Sequence, residues 1–344
     1  MPEETGGRLV TPPLSVLLPV KNAEATLPSC LRSLLRQTFS RFEIVAVDDG
    51  SDDASRRVLD SYARRDDRLR VVDGPAKGIV AALETGFSAC RAPIIARMDA
   101  DDVALRRRFE LQWRHLAEHS DIDLVSCLVT SVPARDVREG YRIYEEWLNA
   151  LVHHEDIARE IFIESPIAHP TVMMRRGALE RAGGYRDAGW AEDYDLWLRM
   201  WRSGARFAKV PHLLHLWRDH PSRHSRTDAR YSVENFLRCK AHHLARGPLS
   251  EQLPLVIWGA GMKGRRLAKH LIREGLSIRA FIDIDPLKIG RELRGAPVCS
   301  PDSLPGFRGH PILAAVGSRG ARAEIRARLE AAGFFETGDF LCVA

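Results

Sequence analysis

Three acidic clusters carry residue types at spacings that could do chemistry. In Arg97-Met98-Asp99-Ala100-Asp101-Asp102, Asp99 and Asp101 flank Ala100, so in an extended stretch both side chains face the same way. Two carboxylates so spaced reach one hard divalent cation, which would also take phosphate oxygens and waters. Without a cation, three adjacent like charges are costly unless water solvates them, so the pattern reads as a metal site or as a solvated acidic loop. In Val47-Asp48-Asp49-Gly50-Ser51, paired carboxylates follow an apolar run. They suit hydrogen bonds to a base and a ribose, or a turn in which Ser51 caps the next helix. In Glu192-Asp193-Tyr194-Asp195-Leu196-Trp197, two acids open a run whose apolar face holds Leu196, Trp197 and Met200. A carboxylate in a first helical turn can take a proton from a hydroxyl, or simply complement the helix dipole.

The elements around these clusters alternate between strand and helix patterns. Strands are expected at Leu14–Pro19, Phe42–Asp48, Leu69–Val72 and Ile94–Met98. Helices are expected at 25–37, 53–64 and Ile79–Ala89, which together predict a parallel α/β sheet. Ligands of such sheets sit beyond the carboxyl ends of the strands, where Asp48, Asp49, Asp99 and Asp101 fall. Residues 121–219 are less regular, with helical stretches at 145–163 and 192–202.

The 344 residues allow two domains, and the rhythm restarts after Arg246-Gly247-Pro248-Leu249-Ser250. The expected division is a flexible tail at 1–12, a first domain at 13–246, a linker at 247–252 and a second doubly wound domain at 253–344.

Charged residues make up 28% of the chain and the net charge is +5, which fits a globular protein. Only seven of the 51 basic residues are lysine; the arginines mostly lie near acids, and no basic run alternates with aromatics, so no nucleic-acid partner is expected. Six scattered cysteines without a C-x-x-C pair argue against a zinc site or a disulfide framework. No apolar run is long enough to span a bilayer and no signal peptide is apparent. The expected location is the cytoplasm, with a peripheral place at the inner face of the membrane open, as is an oligomer.

Taken in order, seven motifs over residues 14–226 resemble family-2 glycosyltransferases of the GT-A fold. They are Val16-Leu17-Leu18-Pro19-Val20-Lys21-Asn22, Gln37-Thr38-Phe39, the Asp48 cluster, the Asp99 cluster, Ser165-Pro166-Ile167-Ala168-His169-Pro170-Thr171, Gly183-Gly184-Tyr185 and the Glu192 cluster. The resemblance implies an inverting transferase that moves one sugar from a nucleoside diphosphate sugar, a UDP-sugar for preference, to a hydroxyl of a carbohydrate or lipid-linked acceptor. It implies that Asp48, Asp49, Pro19, Val20, Asn22, Lys77, Asp99 and Arg218 contact the nucleotide. Asp99 and Asp101, with His220, would hold Mg²⁺ or Mn²⁺. Asp193 would be the general base with Glu192 beside it, and His169 would meet the acceptor. Arg218-Asp219-His220-Pro221 resembles the arginine–histidine pair found late in many relatives. Glu84, Arg106 and Lys21 depart from the family pattern and bear on donor preference. The membrane helices and Gln-x-x-Arg-Trp motif of processive synthases are missing, which favours a single transfer.

The second domain opens with Trp258-Gly259-Ala260-Gly261-Met262-Lys263-Gly264, a strand, a G-x-G-x-x-G turn and a helix start. Asp283 ends the next strand, where a ribose-binding acid would sit. Gly259, Gly261, Gly264 and Asp283 are therefore candidates for binding a nucleotide, and the domain resembles Rossmann-like units of sugar-modifying enzymes. The alternative is a bifunctional protein with an NAD-dependent oxidoreductase here, but residues 247–344 hold no tyrosine for a Tyr-x-x-x-Lys pair.

Overall fold

The structure is a computed structural model that describes residues 11–133, 139–220, 223–251 and 253–344. Most of the expected tail, residues 1–10, lies outside the described residues, as does Pro221.

The chain opens with β1 (Leu14–Val20), α1 (Leu27–Leu35), β2 (Phe42–Asp48), α2 (Ser55–Ala63), β3 (Leu69–Asp73) and α3 (Ile79–Ala89). Next come β4 (Ile94–Arg97), β5 (Val103–Ala104), α4 (Arg108–Glu118), β6 (Leu124–Val132), α5 (Glu139–Ala150) and α6 (His154–Glu160). Then follow β7 (Met173–Arg175), α7 (Arg176–Arg181), α8 (Glu192–Arg202), β8 (Phe207–Arg218), α9 (His224–Thr227) and α10 (Val233–Ala245). The rest is β9 (Leu255–Trp258), α11 (Met262–Arg273), β10 (Ile278–Ile282), β11 (Glu292–Leu293), β12 (Ala296–Cys299), β13 (Ile312–Ala314), α12 (Ala321–Ala331) and β14 (Phe340–Cys342).

Contacts divide the chain into two compact units. The first holds residues 1–152, 167–186 and 203–220. Its sheet has eight strands in the order β3-β2-β1-β4-β7-β6-β8-β5. The β3-β2-β1-β4 half is parallel, and β7 runs antiparallel to both β4 and β6. Every residue of β1 and β2 is buried, which is why both read as continuous apolar runs. Val20 pairs with Asp48 and Asp48 with Asp73, so the carboxyl ends of β1, β2 and β3 share one edge.

The second unit holds residues 153–166, 187–202 and 221–344. Its six-stranded sheet runs β11-β12-β10-β9-β13-β14, parallel except for β11. This unit takes in stretches far upstream of the expected linker, and its ion pairs give a physical reason. Buried Glu160 of α6 pairs with Arg322 and Arg326 of α12, and Lys240 of α10 donates to the carbonyls of Ile163 and Val343.

Four local expectations are corrected. Ser51 does not cap a helix: α2 starts at Ser55 after Ala54, and the Ser51 hydroxyl accepts from Asn22 N at 3.1 Å. The helical stretch at 145–163 is two helices, α5 and α6. His169 ends no strand; it begins a 3₁₀ turn, His169–Thr171, where Pro170 has no N–H for a ladder. Strand β4 stops at Arg97, and the chain then turns, with Asp102 N donating to Asp99 O at 3.3 Å. Asp99 and Asp101 are thus gathered by a turn and not by extended alternation.

Lys209 of β8 is buried, and its ammonium donates to the carbonyl of Leu148. Burial pushes its pKa down to about 7, whereas an unfolded lysine titrates near ~10.4. Between these values folding releases a proton, so the cost of burying the amine is full below the folded value and fades as pH rises toward the unfolded one. Lys209→Met should therefore gain most in melting temperature, relative to wild type, near pH 6, and the difference should shrink steadily toward pH 10. A pH-independent difference would show that the amine carries no such cost.

Candidate active site

The edge formed by β1, β2 and β3 holds the first pair of acids. Asp49 N donates to Val20 O at 2.9 Å, and Asp49 Oδ2 accepts from Gly78 N at 2.9 Å. Its other oxygen, Oδ1, is buried without a hydrogen-bond partner. A buried carboxylate oxygen left unpaired is costly, so it marks a place where a ligand donor would be favoured. Gly74 makes room there, since a Cβ on it would stand 2.9 Å from the Asp49 Cα. Asp48 turns to the protein instead: Oδ1 accepts from Ser51 N at 3.1 Å, and Arg56 approaches Oδ2 at 3.9 Å. Asn22, at φ 49°, holds the same loop by accepting from Asp52 N at 3.0 Å. Pro19 and Val20 are buried at the end of β1, and Lys77 is exposed just ahead of α3.

The second cluster follows β4. One carboxylate oxygen from each of Asp99, Asp101 and Asp102 lies within 4.8 Å of the others. Each acid also has a cationic or imidazole neighbour. Asp99 pairs with buried Arg97, Asp101 Oδ2 stands 2.9 Å from His220 Nε2, and Asp102 Oδ2 stands 2.9 Å from His215 Nε2. Arg218, at the end of β8, reaches Ser29 Oγ at 3.3 Å. The first unit thus brings His220 to Asp101, with the Arg218 backbone beside Asp102.

Carboxylates and one imidazole are a donor set that fits Mg²⁺ or Mn²⁺ better than a soft metal. Among the described residues a second group has metal-like spacing, the buried Asp195, Cys239 and His243, and it fits poorly. Asp195 already accepts from Trp190 Nε1 at 3.1 Å, His243 Nε2 at 2.9 Å and Arg199 Nε at 2.7 Å. Burial pushes this carboxyl up, but His243 and Arg199 outweigh it and hold it at about 2. Three donors on this one buried carboxylate mark a hydrogen-bonded network and leave little place for a cation.

Elsewhere in the first unit, His169 Nε2 meets the Tyr185 hydroxyl at 3.1 Å. Burial, and then the charge of Arg97, push this imidazole well below its usual range, so it is neutral near pH 7. Glu84, which departs from the family pattern, accepts from Tyr185 N at 2.5 Å and so caps the Gly183-Gly184 turn.

Glu192 and Asp193 lie in the first turn of α8, in the second unit. Glu192 is buried and both its oxygens contact Tyr231 Oη, at 2.9 and 2.8 Å. Burial and the adjoining acids push the Tyr231 phenol well above its usual range, so it keeps its proton and donates. Asp193 is half-buried, and its Oδ1 accepts from Tyr194 N at 2.7 Å. Tyr231 escaped the sequence reading because it stands 39 positions from Glu192 in a stretch without periodicity. His215, on a strand that the sequence pattern did not disclose, was missed likewise.

In the second sheet a Cβ at Gly264 would stand 1.9 Å from Gly259 O, and one at Gly259, with φ 123°, would stand 2.9 Å from the Val316 side chain. Gly264 thus lets α11 close on the turn after β9, and Gly259 fits against the segment after β13, while a Cβ at Gly261 meets nothing within 4 Å. Asp283 accepts from Ala260 N at 2.9 Å and Asp285 N at 3.0 Å, and Lys288 stands 3.2 Å away.

A mixed sheet with acids at the carboxyl edge of its parallel half defines an α/β fold of the GT-A type. Residues 15–183 match the family described as glycosyl transferase family 2. The amylovoran biosynthesis glycosyltransferase AmsE of Erwinia amylovora is 32% identical over 58% of this chain and 74% of its own length. A UDP-Gal:alpha-D-GlcNAc-diphosphoundecaprenol beta-1,3-galactosyltransferase of Escherichia coli is 26% identical over 59% of this chain and 73% of its own length. Among solved structures, S. aureus TarS 1-349 in complex with UDP-GlcNAc superimposes with a TM-score of 0.56 at 18% identity, over 77% of this chain and 73% of that one. The chain belongs to glycosyl transferase family 2, and it is a glycosyltransferase. Among the described residues, no helix is long and apolar enough to cross a membrane.

Proposed function

We propose that the chain transfers one sugar, with inversion, from a UDP-sugar to a hydroxyl of a carbohydrate or lipid-linked acceptor during synthesis of a cell-surface polysaccharide. The transferase portion spans residues 13–246, working at the cytoplasmic side. The observation that carries this reading is the gathering of Asp99 and Asp101 on one turn, beside His220 and Arg218. Two relatives agree with it, one named for amylovoran synthesis and one for a UDP-Gal donor and a diphosphoundecaprenol acceptor.

Asp49 would accept from the base through its unpaired oxygen, with Asp48 and Asn22 shaping the loop and Pro19 and Val20 the floor. Asp99, Asp101 and His220 would hold Mg²⁺ or Mn²⁺, which when bound supplies Lewis-acid charge against the diphosphate. Arg218 and Lys77 would add cationic donors to the phosphates. Asp193 would take the proton of the acceptor hydroxyl as its oxygen bonds to the anomeric carbon and the bond to the diphosphate breaks. Glu192 would steady that turn of α8, and His169, neutral, would offer a hydrogen bond to the acceptor. The test is release of nucleoside diphosphate from a panel of nucleotide sugars, with and without Mn²⁺. Absence of turnover with every UDP-sugar in Mn²⁺ would overturn the donor assignment.

The portion at 253–344 would be a Rossmann-like unit whose turn at Gly259–Gly264 accommodates a nucleotide without redox chemistry. Two N–H groups and an ammonium already face Asp283, which leaves little of its capacity for a ribose diol. In thermal-shift measurements on the full chain, a UDP-sugar or coenzyme A should stabilise more than NAD or NADP. A clear NAD shift with measurable hydride transfer would make the protein bifunctional instead.

A further inference from the structure

Asp102 and His215 are joined in a buried chain that sequence spacing does not disclose. Arg108 is fully buried; its guanidinium donates to Gln112 Oε1 at 3.1 Å and to Arg97 O at 2.8 Å, and approaches His215 Nδ1 at 3.3 Å. A guanidinium has no lone pair to offer, so Nδ1 must be the acceptor and Nε2 carries the imidazole proton. That proton points to Asp102 Oδ2 at 2.9 Å. Asp102 is 1% exposed, and its Oδ1 accepts from Arg218 N at 2.8 Å. Both carboxylate oxygens are therefore committed to protein donors, and the side chain is buried where Asp99 and Asp101 are partly exposed.

The ends of this chain fix the two segments that bear the candidate donor-binding groups. Arg108 holds the carbonyl of Arg97 at the start of the acidic turn, and Asp102 holds the backbone of Arg218 at the end of β8. The short β5 adds ladder pairs, with Val103 opposite Leu216 and Ala104 opposite His215. Beyond this clip Arg218 reaches Ser29 and His220 reaches Asp101. We propose that Asp102 and His215 are positioning residues that lock the Arg218–His220 segment onto the Asp99–Asp101 turn, so that the diphosphate site is assembled before the donor arrives, and that Asp102 is not a metal ligand. This rests on the reading of that turn as the diphosphate and metal site.

The test is steady-state kinetics of donor hydrolysis in Mn²⁺ by full-length Asp102→Asn, His215→Leu and His215→Gln. Glutamine can present an amide N–H where Nε2–H stood and keep the carboxylate bond, which leucine cannot. Asn at 102 keeps the shape but sets an N–H against the Nε2 proton. Asp102→Asn and His215→Leu should raise donor KM about tenfold or more, with kcat at saturating donor within about threefold of wild type. His215→Gln should restore KM to within about threefold. Wild-type KM in His215→Leu, or a glutamine variant no better than leucine, would overturn the positioning role. Loss of metal-dependent turnover in Asp102→Asn as complete as in Asp101→Ala would make Asp102 a ligand and overturn the proposal. If His215→Leu does not fold, the Asp102→Asn KM carries the decision. Should Asp101→Ala itself keep metal-dependent turnover, the underlying site reading fails, whatever the Asp102 and His215 variants do.

Discussion

Asp193→Asn should bind the donor with nearly wild-type affinity and turn over about a hundredfold or more slowly, the usual scale for a lost general base. The two acids that open α8 are not equivalent. Glu192 is buried, with both oxygens against the Tyr231 hydroxyl, and Asp193 is the half-buried member of the pair. The single phenol proton is shared between the two oxygens of buried Glu192, whereas Asp193 keeps the exposure an incoming hydroxyl needs, so the proposed base is Asp193. Asn keeps the size and the acceptor oxygen toward Tyr194 N but cannot take a proton at neutral pH. The measurement pairs calorimetric donor binding with turnover at saturating donor and acceptor. A variant that lost donor affinity while keeping its turnover rate would make Asp193 a binding residue.

What could be read from the sequence follows how far each interaction reaches along the chain. The strands β1, β2 and β4 and the acids at their ends were legible because burial on both faces of a parallel strand leaves an unbroken apolar run. The long strand β8 was not legible. It carries Lys209, Pro211, His212 and His215 among its apolar residues, and its pairing with β6 shifts register near Cys127 and Leu128, which breaks any period of two. Asp102 and His215 stand 113 positions apart, and Glu192 and Tyr231 stand 39 apart, so no local pattern links either pair. The acidic turn was placed correctly for an incorrect geometric reason. Its carboxylates meet because the backbone folds back on itself after Arg97, a feature that three aspartates and an alanine do not encode by spacing alone.

Asp101→Ala should abolish metal-dependent turnover and sharply weaken donor binding in Mn²⁺. Three carboxylates converge on the turn after β4, but Asp102 is fully engaged by His215 and Arg218 N, and Asp99 pairs with buried Arg97. Asp101 is partly exposed, and its Oδ2 stands 2.9 Å from the imidazole Nε2 of His220. Partly exposed and beside an imidazole, it is the acid proposed to meet a divalent cation. Alanine removes the carboxylate charge and also the acceptor that His220 meets, so a single change removes one member of the proposed donor set and a contact of a second. Because like charges on one turn repel, the substitution should leave thermal stability without added metal equal to wild type or slightly higher. The loss should therefore appear in function without unfolding. Calorimetry of a UDP-sugar in Mn²⁺ should give a much weaker affinity for the variant, and the two proteins should converge when the metal is chelated. Donor affinity equal to wild type in Mn²⁺ would remove Asp101 from the metal site, and with it the reason to read this turn as one.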